Sequence, residues 1–344
     1  MKKRKMIAFG MVVFSILLTS FSFYFYQVFY GGNILIEKQT VKFVIDKNDN
    51  YDSVRNHLYD LDIIQDAVSF SFVAKILGYQ KLVKPGVYQM EPEMTNLQTV
   101  RMLRAGAQMP VQITFNNVRL KEELAEKITS TIGLSADEVL GLLNNDAFLK
   151  EYGFNSENAS SMFIPNTYEV YWTISAKALF QKMFEQHKNF WNESRRAKAA
   201  ALDLSPIEVS VLASIVQAES IKADESPIIA GLYLNRLKRN IALQADPTLV
   251  FAVGDFTIQR VLNVHKKVDS PYNTYMYKGL PPGPINMPTI ATLDAVLNHE
   301  DHNYIYMCAK EDFSGYHRFA RTLSQHNKNA RLFQNAMNQR KIFR

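Results

Sequence analysis

Glu219 is the side chain whose type and position in this sequence most clearly predict chemistry. It closes a mainly apolar run, and the residues three, four and seven positions before it are Val216, Ile215 and Leu212. At helical spacing these residues share one face with the acid, so we expect that face to be buried. Burial disfavours the charged form of a carboxyl group and raises its pKa. Glu219 is therefore a candidate general acid near neutral pH. The alternative is a glutamate at a helix end that points into solvent.

The helix that carries Glu219 has a clear predicted start. Ser205 is placed as the N-cap and Pro206 as the first helical residue, where its missing N–H costs nothing. Glu208 completes a capping box with Ser205, and we therefore give Glu208 a structural role and no catalytic one.

Further polar candidates follow the acid along the chain. A second helix is predicted from Ser226 to Asn240, and in it Asn235 shares a face with Ile228 and Leu232. Asn235 is thus expected to be a buried amide that either orients a site or is satisfied within the core. The next segment, 243–248, is predicted as a polar turn. The loops rich in Tyr, Asn, Thr and Pro would suit a carbohydrate groove, although ordinary turn chemistry also explains their Pro and Gly residues. Their candidate side chains are Gln244, Asp246, Tyr272, Asn273 and Tyr275.

The histidines and the cysteine offer little support for metal or redox chemistry. His299 and His302 are three residues apart, but the residues around them indicate a polar loop, and no other ligand pair stands at zinc spacing. His317 and His326 are candidates for structural or substrate contacts. Cys308, the single cysteine, cannot form an internal disulfide and is expected to be a small buried residue. No metal site or cofactor is predicted, since phosphate loops and dinucleotide fingerprints are absent from the sequence.

The N-terminus has the pattern of a membrane anchor. A basic cluster at residues 2–5 precedes an uncharged stretch, and residues 6–30 are predicted to span a bilayer, for which about 20 apolar residues suffice. A cleavable signal peptide, the alternative, would have a shorter apolar core of about 7 to 15 residues and a clear small-x-small site. The positive-inside rule leaves residues 1–5 as a cytoplasmic stub and places everything after Gly31 and Gly32 outside the cytoplasm, at the cell membrane. The net charge of +6 is attributed to the basic cluster that sets the membrane topology and to solvated surface residues. No nucleic-acid partner is expected.

The part after the anchor is predicted to be α+β, and 344 residues are enough for two or three packed units. Residues 40–106 have the pattern of a compact βααβ unit, which resembles the small LysM-like module of some wall-active enzymes; a plain spacer domain is the alternative. Residues 110–344 are predicted to form a mixed, mainly helical catalytic region. The predicted elements are strands at 41–45 and 111–115, a strand after the turn at 84–88, and helices at 51–61, 67–77, 121–132, 135–144 and 176–201.

The order of the motifs resembles that of the endolytic murein transglycosylase family, also called MltG or YceG-like. The segments that carry the resemblance are ASIVQAES at 213–220, NRL at 235–237, LQADPT at 243–248, YNTY at 272–275, GLPPG at 279–283 and SQHN at 324–327. The resemblance implies a membrane-anchored enzyme that cuts peptidoglycan glycan strands internally, between N-acetylmuramic acid and N-acetylglucosamine. It implies Glu219 as the catalytic acid and peptidoglycan synthases as a class of protein partner.

Two positions depart from the pattern of this family. Gln217 stands where relatives often have a second glutamate, which leaves Glu219 as the acid of this segment. Asn166 stands in a Phe-x-Pro-Asp-Thr-Tyr-like motif where aspartate is common, so we assign Asn166 no charged role.

The implied reaction needs a single carboxylate. A lytic transglycosylase uses no water: Glu219 would protonate the leaving oxygen and then accept the proton of the sugar's own C6 hydroxyl, which leaves a 1,6-anhydro-muramyl end. The substrate-binding residues expected are Asn235, Gln244, Asp246, Tyr272, Asn273, Tyr275 and His326. One alternative is a hydrolase with Asp246 as second carboxylate. The other is a non-catalytic anchor that binds glycan or a division complex, in which Glu219→Gln would change nothing.

Overall fold

The computed structural model describes residues 2–34, 36, 40–258 and 260–340, which divide into two compact units. Unit 1 comprises Met1–Ile113, Thr131–Gly133 and Glu169–Ile174, and unit 2 comprises Thr114–Ser130, Leu134–Tyr168 and Ser175–Arg344. The described residues form a mixed, mainly helical structure with two-stranded sheets. The predicted α+β class is confirmed.

Unit 1 begins with a long apolar helix, α1, at Lys2–Tyr30. Its most apolar stretch has a mean hydropathy of 2.1, so α1 is long and apolar enough to cross a membrane. Most of α1 is exposed, but Val28 and Phe29 near its C-terminal end are buried. The last turns of α1 therefore belong to the core of unit 1.

The predicted βααβ order is confirmed in unit 1. The elements are β1 (Val41–Ile45), α2 (Tyr51–Asp60), α3 (Ala67–Ile76), β2 (Gly86–Met90) and α4 (Asn96–Ala105). β1 and β2 pair antiparallel, with Phe43 opposite Tyr88 and both side chains buried. Asn50, Asp66 and Thr95 each cap the following helix through a side-chain oxygen. The likeness of this unit to a LysM module stays a prediction.

A second sheet pairs β3 (Pro110–Phe115) with β4 (Asn166–Tyr171), and the division between the units passes through both strands. Between the two strands the chain forms α5 (Lys121–Thr129), α6 (Ala136–Leu143) and α7 (Asp146–Lys150). The ring of Phe115, at the end of β3, stacks on Tyr168 of β4 with 5.4 Å between ring centroids. This aromatic contact is part of the core of unit 2.

The helix predicted over 176–201 is two helices, α8 (Ala176–Phe190) and α9 (Glu193–Ala201). The break has a physical reason in Asn192, whose side chain accepts a hydrogen bond from the Arg195 nitrogen at 3.0 Å and caps α9. Trp191, just before the cap, is 1% exposed, so the chain turns where a large side chain enters the core.

The rest of unit 2 includes a helix that is buried along most of its length. Its elements are α10 (Pro206–Glu219), α11 (Ser226–Lys238), α12 (Asp246–Val253), α13 (Ile290–Leu297), β5 (Tyr306–Ala309), β6 (His317–Ala320) and α14 (Leu323–Gln339). α10 packs against α11, α12 and α13 and is buried from Val209 to Val216. The interpretation of 243–248 as a turn is wrong in its second half, because Asp246 opens α12 and Pro247 fits the first turn of a helix. Cys308, expected to be buried, is only partly buried on β5.

Candidate active site

Glu219 is the last residue of α10, and this helix begins as the sequence predicts. The Glu208 nitrogen donates to Ser205 Oγ at 3.2 Å, and the Ser205 nitrogen donates to the Glu208 carboxylate at 2.7 Å. The capping box is therefore confirmed. The apolar residues on the face of the acid are fully buried: Leu212, Ile215 and Val216. The apolar face of α10 thus brings the Glu219 carboxyl group to the edge of the unit 2 core.

The surroundings of Glu219 favour its protonated form. Burial raises the pKa of Glu219 from 4.5 to about 7. Tyr233 Oη donates to Glu219 Oε1 at 2.5 Å, which acts in the opposite direction because it stabilises the anion. The negative charge of Asp246 is a smaller contribution to the raised pKa of Glu219. Glu219 can therefore hold a proton near neutral pH and also release it, as a general acid and base must.

Glu219 lies between two cavities of unit 2. The larger, of about 680 Å³, is bounded in part by Arg119, Phe251 and Phe256. The smaller, of about 310 Å³, is bounded by polar groups such as Gln244, Tyr275 and His317. Glu219 and Asp246 line both cavities. A bound chain molecule could therefore pass Glu219 and have a segment on either side of it.

Asp246 and Tyr275 form one wall beside the acid. Asp246 opens α12, where the partial positive charge of a helix N-terminus attracts a carboxylate, and it accepts a hydrogen bond from Tyr275 Oη at 2.5 Å. Asn273 is completely buried and holds the Tyr275 loop: its amide donates to the carbonyls of Lys266 and Val268 and accepts from the Tyr275 nitrogen at 3.0 Å. Asn273 therefore shapes the loop, while Asp246 and Tyr275 face the cavity.

Gln244 and Tyr272 occupy different positions relative to the cavities. Gln244 is exposed, lines the smaller cavity and adopts a left-handed backbone conformation with φ of 51°. Tyr272 packs on Phe251, with 4.7 Å between ring centroids, and Phe251 in turn lines the larger cavity. Tyr272 therefore supports the cavity wall from behind.

Asn235 and His326 do not line either cavity beside Glu219. The Asn235 amide nitrogen donates to the carbonyls of His302 and Tyr304, at 2.7 and 3.1 Å. This geometry favours the structural interpretation of Asn235 over direct sugar contact. The His326 ring stacks on Tyr306, with 5.3 Å between ring centroids.

The two positions that depart from the family pattern also have clear placements. The Gln217 amide nitrogen donates to Asn286 Oδ1 and to the Met287 carbonyl, and its oxygen accepts from the Thr289 nitrogen at 2.7 Å. Gln217 thus ties α10 to the segment before α13. Asn166 is exposed at the start of β4, where its side chain accepts a hydrogen bond from the Thr167 nitrogen.

Three residues near the acid were not given their roles by sequence reasoning. Tyr233 was not considered, and it donates the hydrogen bond to Glu219. Glu225 is 3% exposed and accepts hydrogen bonds from the His317 nitrogen at 2.7 Å and from Ser220 Oγ at 3.1 Å. His317 Nδ1 pairs with the same carboxylate at 2.8 Å, and His317 lines the smaller cavity. Helical spacing could have placed Tyr233 on the buried face of α11, but nothing local links His317 to Glu225.

Among the residues that the structure describes, no group of three or more His, Cys, Asp or Glu side chains could hold a metal ion. His302, one of the two histidines at three-residue spacing, has Nε2 at 2.9 Å from the Ile228 carbonyl, and its Nδ1 accepts from the Tyr304 nitrogen. Both ring nitrogens of His302 are thus engaged by the backbone.

Comparison with known proteins finds similarity over most of the chain. The family model of the YceG-like family matches residues 43–332. A Bacillus subtilis protein named endolytic murein transglycosylase is 26% identical over 319 residues, which cover 87% of this chain and 88% of the relative. A Streptococcus pneumoniae protein of the same name is 23% identical, and the match spans 87% of this chain but only 60% of that relative.

A solved structure gives the same result. The crystal structure of a yceG-like protein from Listeria monocytogenes matches with a TM-score of 0.53 and 25% identity, over 85% of this chain and 99% of the other. The fold of this chain is thus a mixed α and β architecture, in which Glu219 lines two cavities at the end of α10. This chain belongs to the YceG-like family.

Proposed function

We propose that this protein is an endolytic peptidoglycan lytic transglycosylase with Glu219 as its catalytic acid. The observation that carries the proposal is a carboxyl group with a pKa of about 7 that lines two cavities at once. The names of the relatives from Bacillus subtilis and Streptococcus pneumoniae support murein as the substrate class. The proposed cut lies between N-acetylmuramic acid and N-acetylglucosamine.

The chemistry uses one carboxyl group twice. Protonated Glu219 donates its proton to the glycosidic oxygen, the C1–O bond breaks and an oxocarbenium-like centre forms on the muramic sugar. The resulting carboxylate takes the proton of the C6 hydroxyl of that sugar, and the C6 oxygen of the sugar bonds to C1. The products are a 1,6-anhydro-muramyl end and a free hydroxyl on the leaving sugar, and no water is consumed.

The placement of the acid supports cleavage inside a strand. A strand that occupies both cavities has sugars on both sides of Glu219, as internal cleavage requires. Gln244, Asp246 and Tyr275, which line the smaller cavity, are proposed to contact sugar hydroxyls. Tyr272, Asn273, Asn235 and His326 are proposed to act indirectly, by holding the walls and loops of the site.

A muramidase that uses water is the second candidate, because Asp246 lines the same two cavities as Glu219. A second carboxylate could activate water or form a covalent intermediate, as in ordinary glycosidases. Against this role, Tyr275 Oη already donates to Asp246 Oδ1. The two candidates differ in product: reducing ends for the hydrolase and anhydro ends for the transglycosylase.

The proposed setting is the outer side of the cell membrane. α1 would anchor the chain, with residues 1–5 in the cytoplasm and the catalytic region outside, during assembly and remodelling of the cell wall. The basic residues at the start of α1 and the absence of charge in residues 6–30 support this topology. A LysM-like role for the β1–β2 unit in glycan binding and peptidoglycan synthases as neighbours belong to the same proposal.

The test is mass spectrometry of purified glycan strands after incubation with the full-length protein in nanodiscs. The wild type is compared with Glu219→Gln and with Glu208→Gln, a matched change on the same helix in which glutamine can still complete the capping box. Anhydro ends from the wild type and from Glu208→Gln, and none from Glu219→Gln, are expected. Reducing ends would assign the hydrolase instead. If all three proteins leave the strands intact, the result favours a non-catalytic anchor that binds glycan or a division complex.

A further inference from the structure

Helix α3 of unit 1 is apolar on both faces. Its inner face is buried through Phe70, Val73 and Ala74. On the outer face Val68, Phe72 and Ile76 are 75, 48 and 54% exposed. These three follow one another at intervals of four residues, so they form one continuous apolar stripe. An apolar stripe on the outer face of a helix is suited to contact with lipid or with another apolar surface.

This stripe continues an aromatic row of α1. The rings of Phe21 and Phe25 lie 6.4 Å apart, and Phe25 stacks on Phe29 at 4.3 Å. Phe29 in turn meets Phe72 of α3 edge to face at 6.2 Å. The outer face of α3 is therefore contiguous with the surface of the helix that is proposed to cross the membrane.

The length of α1 places α3 at the depth of the lipid headgroups. A helix rises about 1.5 Å per residue, so Phe29 lies about 35 Å from Met6 along the axis of α1. The hydrocarbon core of a bilayer is about 30 Å thick, and the whole bilayer with its headgroups is about 40–45 Å. With Met6, the first residue of the predicted span, at the inner boundary of the hydrocarbon core, Phe29 lies just beyond its outer boundary. Phe29, and with it Phe72, then falls inside the interfacial region.

The junction between α1 and α3 is held by buried amides. Asn96 Nδ2 donates to the Val28 carbonyl at 2.9 Å and to Ser69 Oγ of α3 at 3.0 Å. Asn33 Nδ2 donates to Asn96 Oδ1 at 2.7 Å. Because these side chains are 2 to 6% exposed, breaking their hydrogen bonds would be costly. The position of α3 along the axis of α1 is therefore fixed.

We propose that the stripe Val68, Phe72 and Ile76 is a second membrane contact that inserts into the interfacial region of the outer leaflet. The inference rests on the proposed anchoring by α1. Lys75 lies on the exposed side of α3, where its ammonium group can reach lipid phosphate while its methylene groups lie along the apolar surface. Unit 1 would thus be held to the bilayer by an inserted helix and a surface-bound one.

The test uses the full chain in nanodiscs of phosphatidylcholine and phosphatidylglycerol, with an environment-sensitive fluorophore on a single cysteine. Cys308→Ser removes the native thiol, and Phe72→Cys or Val68→Cys carries the label. Val44→Cys, on β1, is a control of matched exposure at 45%. We expect blue-shifted emission and strong quenching by lipids spin-labelled near the headgroup for Phe72→Cys and Val68→Cys, and much weaker quenching for Val44→Cys.

A label on Phe14→Cys, in the middle of α1, distinguishes failure of the proposed α1 anchor from failure of the proposed α3 contact. If its label is quenched by lipid while the labels of Phe72→Cys and Val68→Cys stay solvent-exposed, the anchor holds and the α3 contact is overturned. If the Phe14→Cys label is itself exposed to solvent, the anchor and the α3 contact both fail. Shielding at position 72 in native membranes but not in pure lipid would assign the stripe to a membrane-protein partner and overturn the lipid contact.

Discussion

Two glutamates six residues apart show how partners, as well as burial, decide what a carboxyl group does. Glu219 has a tyrosine hydroxyl as its hydrogen-bond donor, and burial raises its pKa to about 7. Glu225 is buried as well but accepts hydrogen bonds from the backbone and ring of His317 and from Ser220. Donors around Glu225 replace the water that it loses on folding. The first glutamate is suited to proton transfer and the second to holding the chain in place.

The largest effect is expected for Glu219→Gln. Glutamine keeps the size of the side chain but cannot donate a proton to the glycosidic oxygen, so turnover of glycan strands should fall by about 10²–10⁴-fold. Release of anhydro-muropeptides over time is the measurement. Turnover by Glu208→Gln should match the wild type. An active Glu219→Gln protein would remove Glu219 from the mechanism and leave Asp246 as the carboxylate to examine.

Glu225→Gln should act mainly on stability. It turns one acceptor oxygen into a donor, so either the His317 backbone nitrogen loses its acceptor, or Ser220 Oγ and the His317 ring lose theirs. We expect a loss of about 1–3 kcal/mol in the free energy of unfolding, measured by denaturant titration with wild type in parallel. A loss of turnover at unchanged stability would instead give Glu225 and His317 a direct part in the reaction.

The contrast between the two glutamates was only partly predictable from sequence. The buried face of α10 follows from the spacing of Leu212, Ile215 and Val216, and the capping box follows from Ser205 and Glu208, because both are local patterns. The donors that distinguish the glutamates are remote in sequence. Tyr233 is 14 residues from Glu219, and His317 is 92 residues from Glu225.

The errors in the predicted fold have local causes of another kind. Asn192 was predicted to lie inside one continuous helix and Asp246 in a turn, although both residue types are common at helix starts. In the structure Asn192 is the N-cap of α9, and Asp246 is the first residue of α12. The second case matters for the site, because a carboxylate at a helix start faces the cavity beside Glu219.

Glu219→Gln should have the opposite effect on stability to Glu225→Gln at alkaline pH. The pKa of Glu219 is higher in the folded state, at about 7, than its ordinary 4.5, so the folded state binds the proton more tightly. Folding therefore loses stability as pH rises from 4.5 to 7, and the full penalty is present above pH 7. Glutamine removes the penalty, so unfolding should cost about 1–3 kcal/mol more at pH 8 and no more at pH 4. If Glu219→Gln and the wild type were equally stable at pH 8 as well as at pH 4, the Glu219 carboxyl group would not be desolvated in the folded state.

Tyr233→Phe should have the smallest effect. It tests the hydrogen bond that the Tyr233 hydroxyl donates to the Glu219 carboxyl group. The Tyr233 hydrogen bond lowers the pKa of Glu219, so its loss should raise that pKa. The acid must be protonated to act, and the alkaline decline of turnover should therefore move to higher pH, by about one unit or less. The pH profile of strand cleavage measures the shift, with Tyr168→Phe as a control for loss of a buried hydroxyl bonded elsewhere. A shift to lower pH would show that Tyr233 stabilises the protonated acid, in which case burial and the Tyr233 hydrogen bond would together raise the pKa of Glu219.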